Sequence, residues 1–206
     1  MPKTDALAEY SAHRVRTNAR VYQELLKSRS QPTATANQTV VRQHLTKYLD
    51  LQLERLYDTA EGPLDLLALI TRSLMELLFW AEYVLGSDDN AGRFLGEQRI
   101  DLAELVRKAI AAFEVEADQV FDERYKGLNE LLAVKDKRIN SSKRGDLDAY
   151  TFKLCSKYIH PSSWLLLNLD SQLNSEMNRK LFWMMSLRYA ASISALLVLT
   201  PSSERQ

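Results

Sequence analysis

The chain has 206 residues, 46% of them hydrophobic and 26% charged, enough for one core of ordinary size and too apolar to stay unfolded. Lys and Arg number 27 against 27 Asp and Glu, so the chain as a whole is neither a basic nucleic-acid coat nor an acidic tail. Six Gly and five Pro are too few for the turns of a β protein of this length, and the single Cys155 excludes an internal disulfide framework and a Cys-based zinc site.

A first helix is expected over Asp5–Arg29, capped by Thr4 or Asp5, with Leu7, Tyr10, Val21, Leu25 and Leu26 as a sparse apolar stripe. The polar stretch SRSQPTATANQ (Ser28–Gln38) follows as a linker. It divides the chain into an N-terminal helix and linker, residues 1–36, and a helical bundle domain, residues 37–206. Such a linker allows the first helix to detach, or to dock on a partner. A second helix runs from Thr39 to about Ala60 on Val41, Leu45, Tyr48, Leu49, Gln52 and Leu56, and Gly62–Pro63 stops it. The third, Pro63–Leu85, has almost no polar face and is expected in the middle of a bundle.

After the loop Gly86–Gly92, Asp101 caps a fourth helical pattern that runs from Leu102 towards Ile139. A fifth helix spans Asp146–His160 and is closed by Pro161. Two more follow, Ser162 to about Asn174 and Ser175–Leu199, with Pro201 ending the fold. No period-two alternation and no repeat of 20–50 residues is visible. The expectation is an all-α bundle of six or seven helices.

The N-terminus lacks the apolar run of about 7–15 residues that a secretory signal needs. Leu181–Thr200 is about long enough to cross a membrane, but Arg188 near its middle and its many small residues favour a buried helix in close contact with its neighbours. The expected location is the cytoplasm, with no membrane partner.

Charge is segregated along the chain. Residues 11–49 hold seven Lys/Arg, Arg42 among them, against one acid, for a net +6. Residues 58–123 hold fifteen acids against five bases, a net −10, and residues 124–157 nine bases against four acids, a net +5. If the two basic stretches share a face, that face could meet phosphate; otherwise they complement acidic neighbours within the bundle or between subunits.

Two constellations could carry chemistry. Arg72 and Glu76 stand four apart on the greasiest helix, where an unpaired charge would be costly. They read either as a buried ion pair fixing helix register or as a guanidinium and carboxylate at the floor of a cleft. Tyr83 falls on the same stripe. The second constellation is Tyr150, Lys153, Ser156 and His160, with Pro161, Ser162, Ser163 and Trp164 following. Ser156 and His160 are one turn apart, and histidine suits proton transfer near neutral pH. His160 reads either as a cation at a helix C-terminus or as a general acid/base. No Gly-flanked elbow holds Ser156, and neither a metal-ligand set nor a nucleotide loop motif is present, so no metal and no cofactor are expected. His13 and His44 are expected at the surface, and Cys155, Phe182, Trp183 and Tyr189 in the core.

Leu66–Leu85 (LLALITRSLMELLFWAEYVL) followed by Tyr150–Trp164 (YTFKLCSKYIHPSSW) resembles a bacterial all-helical family with an Arg-x3-Glu helix and a later Ser-x3-His-Pro-Ser segment. That family is distantly similar to HEPN domains, helical bundles of toxin–antitoxin and antiviral systems. The resemblance covers Pro63–Leu199 and implies a HEPN-like fold. In HEPN nucleases an Arg-x4–6-His motif, usually at a dimer interface, cleaves RNA without metal. Here His160 matches the histidine, Lys153 stands in the arginine's place, and Arg72 would supply a guanidinium from another helix. The first expectation is therefore a non-catalytic binding or assembly module, part of a bacterial defence or toxin–antitoxin complex, acting as a homodimer or with a protein partner. The alternative is a ribonuclease-like enzyme directed at RNA or a nucleotide. In it His160 moves the proton, Arg72 and Lys153 hold phosphate, Glu76 orients Arg72 or His160, and Ser156, Tyr83 and Tyr150 line the site.

Overall fold

The computed structural model describes residues 7–28, 35–96, 145–160, 167, 171 and 175–199. Its long elements are α1 (Ala12–Ser28), α2 (Ala36–Asp58), α3 (Leu64–Leu85), α4 (Asp146–Ile159) and α5 (Glu176–Leu199). A further helical segment covers residues 88–96. There is no strand among the described residues, and the chain is all-α. The expected helices over Leu102–Ile139 and Ser162–Asn174, and the stop at Pro201, lie outside the described residues.

Helix starts differ from the expectation where a short polar side chain takes over an orphan backbone N–H. α1 does not run unbroken from Asp5. The Ser11 hydroxyl accepts from the Arg14 N–H at 3.3 Å and begins a new helix at Ala12. Its buried stripe is accordingly Val15, Ala19 and Gln23, while Val21, expected on the apolar side, is 50% exposed. α2 starts at Ala36 instead of Thr39, because Thr35 caps it through Gln38 N–H, and the Thr35 hydroxyl also meets the Asp88 carboxylate. Tyr48, expected on the inner stripe of α2, lies on its outer side. At the start of α4, Gly145 turns the chain at φ 128, a region that costs glycine nothing for want of a Cβ.

The helices α1, α2, α3 and α4 lie side by side in chain order, and α5 packs on α1, α2 and α3. Side-chain bonds give the directions. Gln23 to Asp50 and Arg20 to Glu54 make α1 and α2 antiparallel. Trp183 to Ala60 and Arg42 to Leu197 set α5 antiparallel to α2. Tyr189 to Asp148 and the Tyr158–Phe182 ring pair (5.2 Å, edge to face) do the same for α5 and α4. Glu54 is held below the usual carboxylate range, first by the hydrogen bond from Gln23 and then by Arg20.

α5 buries most of its surface together with α3, leaving open a stripe at Met177, Arg188 and Ala195. Phe182, Met185, Tyr189 and Ile193 are fully buried among Leu49, Leu53 and Leu56 of α2 and Leu64, Leu67, Leu74 and Met75 of α3. Ser186, Ala190 and Ser194, four apart, are buried as well, and the Ser186 and Thr71 hydroxyls meet at 2.8 Å. These small residues let α3 approach closely, as the composition of this helix implied. Residues 176–198 are long and apolar enough to cross a membrane, but 61% of their most apolar 18-residue stretch is buried inside the bundle, as in the core helix of a soluble protein. α3 packs against α2, α4 and α5, in the middle of the bundle as expected, but one arc of it stays open. Leu66 and Leu69 are 42% and 47% exposed, and the arc they share with Ser73 and Glu76 is open. Hydrophobicity says that a face avoids water; it does not say which neighbour covers it.

Arg42 also departs from its expected place in a basic surface. It is 3% exposed, with Nη1 donating to Leu197 O at 3.2 Å, and burial pushes its pKa down. The guanidinium meets the last turn of α5, where unpaired carbonyls and the negative end of the helix dipole favour a cation. Trp183 joins the opposite ends of the same two helices, its indole N–H donating to Ala60 O at 2.8 Å. Trp183→Phe keeps most of the apolar contact but strands that carbonyl. The expected loss is about 1–3 kcal/mol in urea unfolding, with the far-ultraviolet dichroism of the folded protein unchanged.

Candidate functional site

The edge between α3 and α4 gathers most of the residues singled out in the sequence. Arg72 projects from α3 towards α4 and is fixed by three contacts. Its Nε donates to Glu76 Oε1 at 2.9 Å, its Nη1 donates to Ser156 Oγ at 3.4 Å, and its guanidinium carbon lies 4.5 Å from the Phe152 ring centroid. A guanidinium has five N–H groups, so three remain to meet a ligand. The Phe152 ring beside the guanidinium helps to hold it in place, and the planar fork is a shape that an ammonium lacks.

The pair is not buried. The Arg72 and Glu76 side chains are 24% and 49% exposed, because the open arc of α3 leaves the carboxylate at the surface. Water screens it, so its worth lies in orienting Arg72 more than in stability.

Ser156 is one turn from Phe152 and spends its hydroxyl proton on Phe152 O at 2.7 Å. It receives Arg72 on its lone pair and has no base to activate it among the described residues. Beside it Cys155 is buried, and burial pushes its thiol up to about 12 against a smaller opposing pull from Arg72. A thiol in that state is neither a nucleophile nor a ligand. Cys155 is therefore expected to resist a thiol reagent at pH 8 in the native protein and to react fully in denaturant; fast labelling of the native protein would contradict its placement.

His160 is the C-cap of α4. It adopts an extended conformation (φ −110, ψ 140), which the following Pro161 favours, and its backbone N–H donates to Ser156 O at 3.1 Å. Its side chain is exposed, and no described residue hydrogen-bonds the ring. Tyr150, Lys153, Lys157 and His160 recur at three- and four-residue spacing and all face outward, forming a stripe next to Arg72. Asp146 is the one acid of that stripe, in the first turn, where the helix dipole favours it.

Arg72, Glu76 and Ser156 therefore meet, and Lys153, Tyr150 and His160 border them along one face. Tyr83 does not join them. It is eleven residues along α3, roughly 16 Å from Arg72 at 1.5 Å per residue, and packs its ring edge against Trp80 with centroids 6.1 Å apart. Phe152 and Lys157 were not singled out in the sequence, although Phe152 stands four residues before Ser156 and so shares its face. His13 and His44 are exposed, and Phe182, Trp183 and Tyr189 are buried, as expected. No cluster of three or more His, Cys, Asp or Glu side chains able to hold a metal ion occurs among the described residues.

No protein-family model, curated protein or solved structure matches the chain. The arrangement offers one preoriented guanidinium and, along nearly three turns of α4, two lysines, an exposed aromatic ring and an imidazole. It can hold an extended anion. Among the described residues it contains no paired acid and base around a nucleophile.

Proposed function

We propose that the chain is a non-catalytic binding and assembly module of HEPN-like type, acting in the bacterial cytoplasm, whose α3–α4 edge holds a phosphate-bearing chain such as RNA. The observation that carries this reading is the clamped Arg72, held by Glu76, Ser156 and Phe152 beside the outward Tyr150, Lys153 and Lys157. Phosphate contacts supply affinity, and an exposed ring supplies a stacking surface for any base. A role in a defence or toxin–antitoxin complex, as a homodimer or with a protein partner, fits the same reading, since a binding surface without chemistry acts through what it assembles.

The enzyme reading draws on one observation, that His160 ends the stripe on which Lys153 lies. In that reading His160 is the general acid/base and Arg72 with Lys153 holds the scissile phosphate. Ser156 argues the other way, because its hydroxyl proton already bonds Phe152 O. The test is to incubate the purified protein with mixed RNA beside a His160→Ala variant, following cleavage on a gel and binding by fluorescence anisotropy. Binding with equal and negligible cleavage by both proteins supports the module. Cleavage that disappears in His160→Ala overturns it in favour of the enzyme.

A further inference from the structure

An open cleft of about 520 Å³ lies where the start of α1, the end of α2 and the start of α5 meet. Trp183 forms part of its lining with only 4% of its surface exposed, and with its N–H already given to Ala60 O it offers the cleft an apolar surface. Arg179 and Lys180 stand beside it on α5. Arg179 is 18% exposed and anchored, its Nη1 donating to Gly62 O at 2.6 Å. Among the described residues both cations approach only one carboxylate, that of Glu176, at 4.0 and 3.7 Å, too far for strong charge-assisted bonds. The other acid of the cleft, Glu61, is already matched by Arg16 at 2.8 Å.

The charge balance follows from these distances. With Glu61 neutralised, Arg179 and Lys180 exceed Glu176 by one positive charge. Ser11 and Ser175, which cap Arg14 N–H and Asn178 N–H, also put the first turns of α1 and α5 at the rim, and each helix start adds about half a positive charge. The sum is near +2. It corresponds to a phosphate monoester near neutral pH, and the volume lies in the usual range for small organic ligands.

We propose that this cleft binds an organic phosphate monoester of about mononucleotide size, with the phosphate between Arg179 and Lys180 and the organic part against Trp183. The proposal is independent of the α3–α4 edge. It requires Glu176 to act as a competitor that the ligand displaces, which gives the test opposite signs at two neighbouring residues.

Calorimetric titration of the full chain with adenosine 5′-monophosphate, with adenosine as the uncharged control, is the experiment. Binding of the monophosphate is expected below about 1 mM, with adenosine at least tenfold weaker. Lys180→Glu is expected to weaken the monophosphate about tenfold or more, and Glu176→Gln to tighten it several-fold. Both residues are largely on the surface side of the cleft, and thermal melts of the two variants check that each is folded. No binding at millimolar concentration, equal binding of adenosine, or an affinity indifferent to both substitutions would overturn the proposal.

Discussion

Phe182→Ala is expected to destabilise the protein by about 3–5 kcal/mol, the range for removing a fully buried aromatic ring. Phe182 has no exposed surface and stacks edge to face on Tyr158, whose hydroxyl accepts from Asn178 Nδ2 at 2.6 Å. The truncation therefore leaves a void at the seam where α4 meets α5, and the polar bond beside it stops the seam from collapsing freely into the space. Thermal unfolding should fall by roughly 10 °C for a chain of this size, and urea unfolding should shift to a lower midpoint with an unchanged slope. A loss under about 1 kcal/mol would mean that Phe182 is not buried at the seam of α4 and α5, and the arrangement of α4 would have to be redrawn.

Arg72→Ala should have the largest effect on binding and little on stability. Removing a guanidinium that makes charge-assisted bonds to phosphate costs about 1.5–3 kcal/mol, a 10- to 100-fold loss of RNA affinity. The ion pair with Glu76 is half in water and contributes under about 1 kcal/mol to folding. Arg72→Lys should recover little of the affinity, because an ammonium cannot present a planar fork to phosphate. Anisotropy titrations with labelled single-stranded RNA, paired with urea unfolding of the same proteins, separate the two effects. Equal losses in affinity and stability would make Arg72 a structural residue.

Much of the fold was legible because hydrophobic spacing is local. The bounds of α3 and α4 follow from Pro63, Gly86, Gly145 and Pro161, and the buried Phe182, Trp183 and Tyr189 from the apolar run that holds them. The misplaced features depend on contacts that no window contains. Thr35 draws the start of α2 back to Ala36 while its hydroxyl meets Asp88, far along the chain. Arg42 counts as surface charge until the end of α5 is seen to lie over it.

The site divides in the same way. Arg72 with Glu76, and Ser156 with His160, are pairs that helical spacing reveals. The contact between Arg72 and Ser156, 84 residues apart, comes from how α4 packs on α3. Tyr83 shows the limit of a stripe argument. A shared helix face does not bring residues together when they are three turns apart. Phe152 shows the converse, since an apolar residue beside a polar site reads as core until a guanidinium is found stacked on it.

The salt dependence of RNA binding tests the reading of the α3–α4 edge most directly. Three cations, Arg72, Lys153 and Lys157, each displacing about 0.7 of a counterion from a single strand, predict a slope of about −2 for log affinity against log salt. Lys153→Ala should reduce that slope by roughly 0.7 and weaken all sequences alike. A slope of about −2 that falls stepwise as the three cations are removed is the expected result. A slope near zero, or one that the loss of all three leaves untouched, would contradict an anion-holding edge.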